Sequence, residues 1–382
     1  MIRRNIYLMY AISLLQGMVF YAPIAALYRT AQGVTISQIS LIESISLILC
    51  FVFEVPWGVL ADRIGYKRTL VVCSLLYLCS KLVFWQATDF VGFLMERILL
   101  SAVIAGLSGV DVSILYLSCP KDQTQQVFGI YNSLQTAGLL TASLIYSGFL
   151  GENYSAAGFL TVLSYGAALL LSLFLKEVRH SERRSVGPVR LPADFRQILS
   201  DRRLLLFLVA VALLQQTHQS VTVFFSQLQY QLCGMDPSAM GFAHILVSIA
   251  GLTAAFSPQV TRKLGEQGVL GLCCGISAVS CLVLFGFRSP WLSVLAVTVF
   301  RIAVSLLEPL QTQIQNRSVT SVDRATALSI QTVVLDSAGA GISVMLGMAA
   351  EHDLPLSFLF GGILCLVSLL LLTVWKKTAV SH

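Results

Sequence analysis

GVLADRIGYKR, residues 58–68, is the stretch on which the reading of this chain turns. Gly58, Asp62 and Gly65 stand at i, i+4 and i+7, with Arg63, Lys67 and Arg68 crowded among and behind them between two apolar runs. Glycine permits close backbone approach or a positive φ where a chain reverses, and bases hold such a corner on the cytoplasmic side of a membrane. Asp62 is a carboxylate suited to a neighbouring helix N-terminus. The stretch therefore predicts a helix–loop–helix corner between two membrane spans, bracing one helix against another.

Working outward, the apolar runs beside this corner recur along the whole chain. Of 382 residues 56% are apolar and 12% charged, far from the balance of a soluble domain. A span needs about 20 apolar residues, and twelve such runs are present, near 5–28, 36–60, 67–87, 90–117, 124–150, 154–176, 203–232, 237–261, 267–287, 290–315, 323–349 and 354–375. The first is long enough to cross and is followed by no cleavage site, so it reads as a span and not a signal peptide. Nine cysteines without CxxC or Cys/His spacing point to neither a metal site nor a disulfide framework. No cofactor is expected. The net charge of +6 sits in loops, which predicts membrane orientation and no nucleic-acid partner. Twenty bases fall on one side, from Arg3 to Lys377, against Arg29 and Arg288 on the other. Both termini are thus expected in the cytoplasm, with the chain in the plasma membrane.

At residues 58–68 the sequence resembles the major facilitator superfamily, whose corresponding loop reads G-x-L-A-D-R-x-G-R-K-R; Tyr66 departs from it, where an arginine is usual. The resemblance implies an all-α integral membrane fold of twelve transmembrane helices in two pseudo-repeated six-helix bundles, residues 1–176 and 203–382. A cytoplasmic linker, 177–202, lies between them, with Pro192 to Ser200 expected as a short surface helix. Internal echoes accompany it. Arg97 in ERI of span 4 is answered by Arg301 in FRI of span 10, SLQT at 133–136 by SIQT at 329–332, and the corner itself by TRKLGEQG at 261–268. Repeated halves around a central site are the pattern of rocking transporters.

Charged side chains inside spans cost about 2.5–3.5 kcal/mol each and so need partners or water. Glu43, Lys81, Arg97, Asp111, Arg301, Glu308 and Asp336 are the ones noted. Asp111 follows Arg97 by about 21 Å of helix, so the two do not pair with each other. The resemblance implies that Asp111 pairs with a base of the 58–68 loop, Arg68 being the match, while Asp62 is directed at the start of span 11. Gly58, Asp62, Arg63, Gly65, Arg68 and Asp111 would then form a latch holding the outward-open state. A static ion pair is the plainer reading. Arg97 resembles the family's span 4 arginine, linked to proton transfer in drug exporters, although Ser101 stands where a glycine is expected. Arginine stays protonated, which leaves Glu43, Glu308 and Asp336 beside Arg97 as proton-coupling candidates.

QQTHQ, residues 215–219, lies in the middle of span 7, and five consecutive polar residues go all the way round a helix. In the superfamily spans 1, 4, 7 and 10 line the cavity. Gln16, Tyr21, Gln215, Gln216, His218, Gln219, Arg301, Gln311 and Gln315 are therefore the substrate-binding candidates, suited to a neutral or weakly cationic solute. His218 is read as the one mid-membrane histidine, titrating near neutrality or serving as a satisfied hydrogen-bonder. The exporter signature GPxxGG is absent, since Ala137 to Gly148 has no proline.

These features predict a monomeric secondary transporter moving a small organic solute by alternating access, with proton-coupled efflux favoured. The alternatives are uptake of a metabolite or organic anion held by Lys81, Arg97 and Arg301, or a solute sensor that has lost transport. An embedded enzyme finds no converging nucleophile, base or metal ligands among five scattered histidines.

Overall fold

The computed structural model describes residues 3–107, 110–119, 124–151, 153–178, 201–318 and 324–380, and every regular element among them is helical. In chain order they are α1 Arg3–Gly17, α2 Ala25–Ala31, α3 Ile36–Ile64, α4 Tyr66–Gln86, α5 Phe90–Leu107, α6 Val110–Ser118, α7 Thr124–Ile145 and α8 Tyr154–Leu173. Then follow α9 Arg202–Gln219, α10 Ser226–Leu232, α11 Pro237–Ala250, α12 Ser257–Gly286, α13 Pro290–Ser318, α14 Arg324–His352 and α15 Leu354–Val380. In hydrocarbon every backbone polar group must be satisfied internally, and helices do this within one segment. Ten stretches are long and apolar enough to cross a membrane. One of them, Pro237–Gly286, holds two of the expected spans, and α7 supplies another, so the described helices fit twelve crossings. Most of the linker, including the expected Pro192–Ser200 helix, lies outside the described residues.

Span 1 differs from the continuous helix expected over 5–28. α1 stops at Gly17, the chain turns through Met18–Tyr21, and a short 3-10 turn at Ala22–Ile24 leads into α2. Pro23, which has no N–H to donate, sits in that turn. The freed backbone groups are met by side chains of α8. Ser164 Oγ donates to the Leu15 carbonyl and Tyr165 Oη to that of Gln16, each at 2.6 Å, while Phe20 N–H donates to Thr161 Oγ1 at 3.0 Å. A broken membrane helix is tolerated where a neighbour replaces its lost hydrogen bonds. Two glycines then bring α1 against α7: a Cβ on Gly17 would fall on the Gln135 carbonyl, and one on Gly138 on the Leu14 carbonyl.

The two corner loops share a backbone although their charges differ. Gly65 has φ 93° and ψ 153°, and Gly265, in the weaker echo, has φ 72° and ψ 162°. Both are conformations that glycine adopts without steric cost.

By contact the chain forms two compact units, Met1–Val34, Ile45–Ser185 and Asp236–Ile245 in the first, and Thr35–Ser44, Val186–Met235 and Leu246–His382 in the second. In the first, α1 packs on α7 and α8, and α4 on α5 and α8, around Ile6, Met9, Ile12, Leu70, Ile114 and Leu115. In the second, α12 packs on α13 and α15, and α9 on α14 and α15. The start of α3 is held within the second unit. Glu351 of α14 accepts from Ser37 N–H and Thr35 Oγ1, and Ser44 Oγ donates to the Ala340 carbonyl at 2.8 Å. The start of α11 is held within the first, where Gly241 sits against Ser147 and His244 Nδ1 lies 3.1 Å from Ser143 Oγ. Ser143 already donates to the Leu139 carbonyl, so its oxygen accepts and His244 carries the proton on Nδ1.

Candidate functional site

The corner at 58–68 is built by Gly65, whose carbonyl accepts from Thr69 N–H and Oγ1 at 3.1 and 2.9 Å. Side chains at Gly58, Asp62 and Arg63 lie outside the described residues. A carboxylate does occupy a helix N-terminus here, and it is that of Glu177, just beyond α8. Its Oε1 accepts from Lys67 N–H at 3.2 Å, and the carboxylate sits 3.0 Å from where a Gly65 Cβ would stand. An anion at this end opposes the positive pole of α4. Arg68 is exposed. Asp111, half-buried on α6, accepts from Tyr131 Oη of α7 at 3.2 Å.

The core of the first unit contains a cluster that sequence reading passed over. Arg29, expected in an outer loop, is buried on α2 at 5% exposure. Its guanidinium lies 3.5 Å from Glu96 Oε2 of α5, and Lys81 Nζ of α4 lies 3.9 Å from Oε1 of the same carboxylate. Aromatic rings complete the shell. Arg29 stands over Phe84 and Phe93, Lys81 over Tyr21, Tyr77 and Tyr165, and Tyr21 stacks on Phe84 with centroids 3.9 Å apart. Ring faces stabilise desolvated cations. Arg29 thus leaves the loops expected on the outer side, and Arg288, the other base expected there, is exposed. The cluster's signal in sequence is Glu96 inside an apolar run, whose neighbour Arg97 points to another side of the helix, so that Glu96 demands a cation from another helix.

In the second unit the amides of α9 and α13 meet as their residue types suggest. Gln215 Nε2 donates to Gln311 Oε1 at 2.7 Å, and Gln311 Nε2 to Gln315 Oε1 at 3.3 Å. Gln216, Thr217 and His218 are buried, Gln219 is half-buried, and the His218 ring meets Phe300 edge-on at 5.5 Å. A π-helical turn, Ser220–Phe225, follows directly. Arg301 and Glu308 pair on α13 at 3.7 Å with side chains 31% and 44% exposed. Arg301 also packs over Gly251, 2.9 Å from the site of a Cβ there.

The other residues singled out are dispersed. Glu43 is buried at 4% exposure on the part of α3 that belongs to the second unit, and Asp336 is half-buried on α14. Arg97 is half-buried on α5, where Ser101 bonds to its carbonyl and to Ser46 of α3, both at 2.8 Å. The serine in place of the expected glycine thus ties two helices together. Gln16 is half-buried with its carbonyl held by Tyr165. His218 is not the one histidine inside an apolar stretch, since His244 lies within α11 as well. Among the described residues no three His, Cys, Asp or Glu side chains gather to hold a metal.

Comparison with known proteins fits this architecture. The chain is 30% identical over 168 residues to an uncharacterised transporter of the major facilitator type from Methanocaldococcus jannaschii, covering 42% of each chain. It is 21% identical over 279 residues to a probable sugar efflux transporter from Pasteurella multocida, covering 71% of this chain and 68% of that one. The solved structure of the nucleoside transporter NupG superposes with a TM-score of 0.81 at 15% identity, over 98% of this chain and 99% of the other. The first of these relatives is thus spanned over about two fifths of its length. The family model for the Major Facilitator Superfamily matches residues 6–343, and the chain belongs to that superfamily of multi-pass membrane transporters.

Proposed function

We propose that the chain exports a small organic solute in exchange for protons, as a monomer in the plasma membrane with both termini in the cytoplasm. Its bundles are taken as residues 1–176 and 203–382, joined by 177–202. The observation that carries the coupling is the Arg301–Glu308 pair. It is a carboxylate within a membrane-crossing helix, accessible at 44% and held loosely at 3.7 Å. In this reading Glu308 is the coupling carboxylate, and its pairing with Arg301 is broken and remade once per cycle. One proton crossing 100 mV supplies about 2.3 kcal/mol. Glu43, Asp336 and Arg97 remain secondary coupling candidates. Export is supported by the sugar efflux relative and by the pairing of Lys81 with Glu96 and of Arg301 with Glu308. Two of the three cations that an imported anion would need are thereby engaged.

In proteoliposomes, Glu308→Gln should reduce pH-gradient-driven flux at least tenfold while leaving solute counterflow measurable. Unchanged driven flux places the coupling elsewhere. The corner residues Gly58, Asp62, Arg63, Gly65 and Arg68, with Asp111, are proposed as the latch that must open in each cycle. Asp62→Asn is accordingly expected to abolish turnover with solute binding retained, and full turnover in that variant would remove the latch from the mechanism.

A further inference from the structure

Between α9 and α13 the polar groups of the second unit carry no net charge, and its buried acid Glu43 lies on α3. No Asp, Glu, Lys or Arg occurs in residues 204–232, 269–286 or 354–375, which make up most of α9, α10, α12 and α15. On α13 the only such residues between Pro290 and Gln315 are Arg301 and Glu308, which neutralise each other at 3.7 Å, and Asp336 of α14 is already engaged. What remains between the packed helices α9 and α13 is amide, hydroxyl and imidazole.

These groups are arranged for a partner that both donates and accepts. The Gln215→Gln311→Gln315 relay runs in one direction, so the Gln215 carbonyl oxygen at its head is left as an acceptor. On the same two helices Gln216 Nε2, His218 Nε2 and Ser305 Oγ have no hydrogen-bond partner among the described residues, and their side chains are 7%, 6% and 0% exposed. Buried polar atoms left in this state are costly. Hydroxyl groups answer all of them, because each donates one hydrogen bond and accepts others. An ion brought here would lose its hydration and meet only the already paired Arg301 and Glu308 as counter-charges. Phe300, edge-on to His218, offers an apolar wall beside the polar array.

We infer that the second unit recognises an uncharged, hydroxyl-rich small solute through Gln215, Gln216, His218, Ser305 and Gln311. The inference rests on the transporter reading and narrows its solute class. Ser305 enters on burial alone, since a serine within an apolar run carries no signal in sequence.

The test is thermal stabilisation of the detergent-purified full chain by four probes at equal concentration: a hexose, a ribonucleoside, tetraphenylphosphonium and benzoate. A neutral hydroxylated probe should raise the melting temperature in a saturable way, and the two ions should not. Gln215→Leu and His218→Phe should each weaken that probe at least tenfold. Gln311→Glu places an uncompensated carboxylate in the array and should create binding of the cation, a gain that misfolding does not produce. Stabilisation by an ion alone, by no neutral probe, or undiminished in Gln215→Leu overturns the assignment. Failure of the exporter reading looks different: solute binds as described, yet no pH gradient drives it across proteoliposomes.

Discussion

Glu96→Ala should lower the stability of the protein by about 3–5 kcal/mol, the usual cost of removing one partner from a buried ion pair. Its carboxylate is 1% exposed and serves both Arg29 and Lys81, each 5% exposed. Removing it leaves two cations in an apolar core without the carboxylate they share. Lys81→Met should cost less, because it removes a desolvated charge while Arg29 continues to balance Glu96. The order of the two variants is therefore the diagnostic, read as unfolding midpoints in detergent. A Glu96→Ala midpoint no lower than that of Lys81→Met would mean that the carboxylate does not hold the cluster together. The cluster anchors α2 to α4 and α5, so its loss should also release the second half of the broken first span.

Gly138→Val should be comparably severe and should also abolish transport. A Cβ on Gly138 would fall on the Leu14 carbonyl oxygen and 3.2 Å from the Gly17 carbonyl carbon. A side chain can rotate away from such a collision, but a backbone carbonyl cannot. Nor is α1 free to retreat, because α8 holds it at Leu15 and Gln16 and the turn after it at Phe20. Overpacking of cores usually costs about 1–3 kcal/mol, and fixed backbone on both sides places this site at or above the top of that range. Gly275→Ala on α12 is the control. Nothing lies within 4 Å of its added Cβ, and alanine in a helix is favoured over glycine by about 0.8–1.0 kcal/mol. Equal melting of the two variants would refute the close α1–α7 approach.

Much of the candidate site was legible because charge and amide groups are costly in hydrocarbon and so stand out against it. The meeting of Gln215 with Gln311 and Gln315 followed from three amides placed on two helices that line the family's cavity. The pairing of Arg301 with Glu308 is legible in their spacing of two turns on one helix. What was missed depends on distance between chain segments. Arg29 looked like an outer-loop base because nothing local shows that span 1 breaks at Gly17 and folds its end inward. Glu177 looked like linker, since only the folded corner brings it to Lys67. Ser305 and His244 looked ordinary, being single small or polar residues in otherwise apolar runs.

By itself the sequence determined that the chain crosses a membrane many times, that GVLADRIGYKR is a turn between spans, and that the family is the major facilitator superfamily. Hydropathy, glycine and basic residues act locally, over the length of one helix or one turn, and need no knowledge of neighbours. The tertiary structure alone decided which charges meet across helices, where a helix interrupts itself and which side chains replace its lost hydrogen bonds. Those outcomes depend on groups from separate helices, such as Arg29 with Glu96 or Ser164 with Leu15, meeting in a medium without water, where an unmatched polar atom has nothing else to bind.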